Sequence, residues 1–142
     1  MDVLLIGILT IAVLADLKSY KIPNALTYTS LVGLLIILLS TKGPPGLLQA
    51  IISVFIAWGI LFLIYLVKGL GAGDVKLFMV IAAALGTKIF FLILIASLII
   101  SAIYGLFKIT FLLILRKKHG TCHIHFSIPI LAATCMYYAR II

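Results

Sequence analysis

Between Lys21 and Lys42, between Lys42 and Lys68, and again between Lys88 and Lys108, the chain carries no charged side chain, and most residues in these stretches are apolar. Runs of this kind must be kept from water. A chain of 142 residues assembled from them has too little polar surface left to cover a globular core. Apolar residues make up 65% of the sequence and charged residues 10%, whereas a soluble domain is roughly a quarter charged. The solvent for these runs is therefore lipid. The sequence reads as one compact, all-α, membrane-embedded domain over residues 1–142, too short to hold a second domain of any size.

Six apolar segments are expected, at 3–16, 25–40, 47–67, 73–86, 89–115 and 126–141. The breaks have clear causes. The polar stretch 18–24 ends in Ile22-Pro23-Asn24, and Pro23 disfavours continued helix. Gly43-Pro44-Pro45-Gly46 is a turn, and Gly69, Gly71 and Gly73 punctuate the next break. Gly86-Thr87-Lys88 reads as a minimal hairpin, and 116–125 is the most polar stretch of all. The first segment is expected to be a retained helix. It is preceded by Met1-Asp2, acidic where a secretory signal is basic, and no small-x-small cleavage site follows it.

A net charge of +8 could suggest nucleic acid, but the basic residues lie at the ends of the apolar runs, where they orient a membrane protein. With six crossings one side receives Lys18, Lys21, Lys68, Lys76, Arg116, Lys117 and Lys118, and the other receives Lys42, Lys88 and Arg140. The richer side is expected in the cytoplasm, which puts both termini outside a multi-pass protein of the cell membrane. Lys108 can snorkel toward the cytoplasmic end. Cys122 and Cys135 form neither a disulfide framework nor a CxxC metal site.

Acid is scarce: Asp2, Asp16 and Asp74 are the only carboxylate side chains. Asp16 follows an apolar segment too short for a core about 30 Å thick, so the helix is expected to continue through it toward Tyr20. Asp74 opens another short segment. Two crossings separate the two, so both face the cytoplasmic side, and Asp2 is an end charge on the other. An ionisable group at membrane depth is costly and is a functional candidate. Two carboxylates brought together share a proton, one drawing a proton from water while the other polarises a carbonyl, as in aspartic proteases. The bland alternative pairs Asp16 with Lys18 or Lys21 and Asp74 with Lys76.

The flanking residues carry a resemblance. Asp16 begins the pattern D-x5-IPN-x-LT through Thr27, and Gly71-Ala72-Gly73-Asp74-Val75-Lys76-Leu77 follows about sixty residues after the first aspartate. In this order they resemble the type IV prepilin peptidases, or leader peptidases, polytopic aspartic proteases to which the archaeal preflagellin peptidases are related. Presenilins and signal peptide peptidases share GxGD, but Ala15 stands where they have tyrosine, and no Pro-Ala-Leu element occurs. Phe126-Ser127-Ile128-Pro129 loosely matches the family's closing Pro-containing motif. The resemblance implies that Asp16 and Asp74 are the catalytic pair, and that the substrate is a prepilin-like chain losing a short basic leader at the cytoplasmic face. Larger family members add a cytoplasmic region with paired CxxC motifs and N-methylate the new terminus. None is seen here, so peptidase activity alone is expected, without S-adenosylmethionine or any other cofactor.

Around the pair, Gly71 and Gly73 are expected to give the backbone freedom for positive φ and close approach. Pro23 and Asn24 should set where the second helix starts, and Lys76 either acts on Asp74 or snorkels. His119, His123 and His125 with Cys122 have spacing that could ligate zinc, but the neighbouring Arg116–Lys118 would repel a cation, and a polar loop is expected. A non-enzymatic membrane subunit or small proton-coupled transporter is the competing class. Carriers place such charges near mid-bilayer, unlike these near one face. Partners are thus a prepilin-like peptide and the lipid bilayer, not nucleic acid. The oligomeric state and the identity of the substrate stay open.

Overall fold

The computed structural model describes residues 2–19, 24–67, 69–114 and 126–140. Among these the protein is all-helical: α1 (Asp2–Ser19), α2 (Asn24–Leu66), α3 (Ala72–Leu85), α4 (Thr87–Ile114) and α5 (Ser127–Tyr138). Helix α1 does run on through Asp16, as its short apolar stretch required. Two helical stretches are long and apolar enough to cross a membrane, Asn24–Leu66 and Thr87–Lys108.

Helix α2 has 43 residues, which as a straight rod would reach roughly 64 Å at 1.5 Å per residue. It is not straight. Gly43 takes φ 68 and ψ −167 ahead of Pro44 and Pro45, a left-handed geometry open to glycine, followed by two residues with no N–H to donate. A Cβ at Gly46 would collide with Lys42. The helix folds back on itself here, so that Thr27, Tyr28 and Leu31 of its first arm share a groove with Trp58, Phe62 and Tyr65 of its second. The turn expected at 43–46 is the hinge between two arms, matching the second and third apolar segments. The hairpin expected at 86–88 is tighter than anticipated. Gly86, at φ 83, ends α3 by donating to Ala82 O at 2.9 Å and accepts the first bond of α4 from Phe90 N at 3.0 Å.

The core is centred on α3. Val75, Leu77, Phe78, Val80, Ile81, Ala82, Ala83 and Ala84 are all buried, facing nearly every direction around the helix. Leu5, Leu9 and Ala12 of α1, Leu34, Ala57 and Leu61 of α2, Phe90 and Ile93 of α4, and Ile130 and Ala133 of α5 close around it. The outside is equally apolar: Val3, Phe55, Leu63, Leu106 and Phe107 are well exposed. A surface like this is built for lipid, since contiguous apolar area on this scale is foreign to soluble monomers.

Candidate active site

Three helix ends meet at one end of the bundle: the C-terminal end of α1 and the N-terminal ends of α3 and α5. Asp16 lies in the last turn of α1, Asp74 in the first turn of α3, and Ser127 is the first residue of α5. The carboxylates of Asp16 and Asp74 lie close enough that the charge of one acts on the other. The hydroxyl of Ser127 donates to Asp16 Oδ2 at 2.6 Å. Asp74 and Ser127 stand at helix N-termini, which carry partial positive charge, whereas Asp16 lies at the C-terminal end of its own helix.

Local sequence accounts for each placement. Gly71 caps α3 in extended geometry, at φ −76 and ψ 150, and its carbonyl accepts from Val75 N at 3.2 Å. Three residues on, the Asp74 carboxylate reaches back to the Gly71 N–H, the acidic half of a capping box. A Cβ built on Gly71 would stand 3.0 Å from Asp74 Oδ2. Gly71 does not take a positive φ, and the group that stands against it is the carboxylate of its own motif rather than another chain. Helix α5 starts at Ser127 because Pro129, which lacks an N–H, lies before the first helical donor, Ile130 N bonding Phe126 O at 3.3 Å. Beneath the site Phe78, one turn after Asp74, meets Phe90 of α4 edge-on at 6.0 Å and Phe126 at 6.4 Å.

The neighbours expected to support the pair divide. Lys76 turns away from the carboxylates: its ammonium donates to Asn24 Oδ1 at 2.7 Å and lies 5.2 Å from the centre of the Tyr28 ring. Asn24 is the first residue of α2, so this contact ties the IPN and GxGD-VKL motifs together. Gly73 lies in the first turn of α3. Pro23, Lys21 and the cluster of His119, Cys122, His123 and His125 fall outside the described residues. Among the described residues no group of three or more His, Cys, Asp or Glu side chains is placed to hold a metal ion. Sequence reasoning passed over Ser127. Its signal was present in the Phe126–Pro129 motif, the one polar residue at the start of an otherwise apolar helix turn.

A cavity of about 240 Å³ lies on the other side of α3, lined by Ala72, Val75, Lys76 and Met79 of that helix and by aromatic residues of both arms of α2. These four positions form one stripe at helical spacing, and Asp74 is roughly 200° around from Ala72. The cavity and the carboxylates are separate features.

Comparison with known proteins gives one match. The family model for the type IV leader peptidase family covers residues 3–106. No curated protein and no solved structure matches the chain.

Proposed function

Because the chain belongs to the type IV leader peptidase family, a family of peptidases, we propose that it is an aspartic endopeptidase that cuts the short basic leader from prepilin-like substrates at the cytoplasmic face of the membrane. The observation that carries this reading is the meeting of Asp16 and Asp74, from helices distant in sequence, at one end of the bundle and within reach of each other's charge. Both lie in motifs of the family's pattern and inside the matched region.

The reaction follows from two carboxylates sharing one proton. The ionised carboxylate takes a proton from water as its oxygen attacks the scissile carbonyl carbon. The protonated carboxylate gives its proton to the carbonyl oxygen, forming a neutral tetrahedral diol. Collapse of the diol breaks the C–N bond, with a proton delivered to the departing amine. No metal, cofactor or methyl donor enters these steps. A site at one end of the bundle suits a substrate whose leader is in water and whose following helix is in lipid.

In this reading the chain is a multi-pass protein of the cytoplasmic membrane with six spans, the two arms of α2 each crossing once, and its N-terminus outside. Asp16→Asn and Asp74→Asn, each keeping the size of the side chain, should lower the rate of leader removal roughly thousandfold or more, since acid–base catalysis is worth about 10²–10⁴ for each group. A gel-shift assay with a co-expressed prepilin, with membrane insertion of each variant checked in parallel, reads this directly. Substantial cleavage by either variant overturns the reading.

A further inference from the structure

Five hydroxyl-bearing side chains are buried among the described residues: Thr27, Ser53, Ser97, Ser127 and Thr134. Four donate to a carbonyl three or four residues back in their own helix: Thr27 to Asn24, Ser53 to Gln49, Ser97 to Leu94 and Thr134 to Ile130. This is how an isolated hydroxyl is satisfied in an apolar helix. Ser127 differs. It is the first residue of α5, and its hydroxyl donates not within its own helix but to Asp16 Oδ2 at 2.6 Å, across 111 residues of sequence. It is 1% exposed, so the serine end of this bond is shielded from bulk water.

We infer that Ser127 is the positioning residue of Asp16: its hydroxyl holds the carboxylate in the orientation that faces the dyad. This rests on the proposed dyad and adds to it a residue from α5, beyond the 3–106 region that carries the family match. Two features support the assignment. A hydroxyl donating to an anionic carboxylate makes a short, strong hydrogen bond, and 2.6 Å is within that range. The start of α5 is also held in place, by the Ile130 N to Phe126 O bond after Pro129 and by Phe126 lying 6.4 Å from the Phe78 ring.

The test uses the full chain in detergent or liposomes, with a synthetic peptide carrying a basic leader and an apolar helix as substrate. Ser127→Ala should lower kcat roughly ten- to hundredfold, the value of one hydrogen bond to a charged group, with KM within about twofold because no substrate contact is lost. Ser127→Cys fills the same space with a weaker donor, guards against a cavity effect, and should fall in the same direction. Ser127→Thr keeps the oxygen and should recover most of kcat. Wild-type kcat in the Ala or Cys variant overturns the inference, as does a rise in KM with kcat unchanged, or a Thr variant no better than Ala. Asp16→Asn run alongside separates the two readings. An inactive Asp16→Asn with a fully active Ser127→Ala removes only the role of Ser127, whereas an active Asp16→Asn removes the dyad itself.

Discussion

Gly71 is placed where a single added carbon has a measurable consequence. Its backbone, at φ −76 and ψ 150, is open to any L-residue, so Gly71→Ala should fold. The new methyl would nonetheless stand 3.0 Å from Asp74 Oδ2, so the carboxylate must give way by a few tenths of an ångström. The expected outcome is slower leader removal, by a few-fold to about tenfold, with little change in thermal unfolding, since catalysis depends on the exact placement of the reacting groups. Equal activity would mean that the glycine serves something other than the carboxylate. Lys76 and Asn24 make the opposite prediction. Their hydrogen bond joins α2 to α3 without touching the aspartates, so Lys76→Met should cost about 1 kcal/mol of stability, read as a lower melting temperature in detergent. A residual effect on kcat should be no larger than that loss of order.

At the scale of elements, two glycines decide how the helices reverse. Gly43, at φ 68, turns α2 back on itself, and Gly86, at φ 83, passes the chain from α3 to α4 with no intervening loop. Gly43→Ala forces a Cβ into the left-handed region, where the strain costs on the order of 1–3 kcal/mol. Loss of stability without loss of the chemical step is expected, measured as reduced yield and melting temperature at unchanged kcat. Both reversals were legible from the glycines and prolines, because turn chemistry is local. Two of the element boundaries were less so. The sequence shows a polar stretch from Gly86 to Lys88, but Thr87 and Lys88 are already helical, because α4 opens directly on the Phe90 N to Gly86 O bond at 3.0 Å. Likewise the segment expected from Gly73 begins one residue earlier, at Ala72, with Gly71 as its cap.

For the whole molecule, the arrangement of charge predicts one topology. A single cysteine introduced near Lys21, with Cys122 and Cys135 replaced, should resist an impermeant thiol reagent in intact cells, and one placed at Lys42 should react. Labelling at the first site would reverse the orientation and put the carboxylates on the wrong face for a cytoplasmic leader. The sequence by itself determined that the chain is helical and apolar enough for lipid, where it reverses at Gly43 and Gly86, and which two carboxylates stand out, because apolar runs, prolines and glycines act on their own neighbourhood and acids are so few. Tertiary structure alone decided what those carboxylates meet. The spacing of motifs cannot say that α3 sits at the centre of the bundle with Asp74 turned toward α1, nor that Lys76 faces the other way to Asn24. Nor can it say that α5 returns to place Ser127 against Asp16. Those outcomes depend on how five helices pack around Phe78, and packing is a property of surfaces brought together from distant parts of the chain.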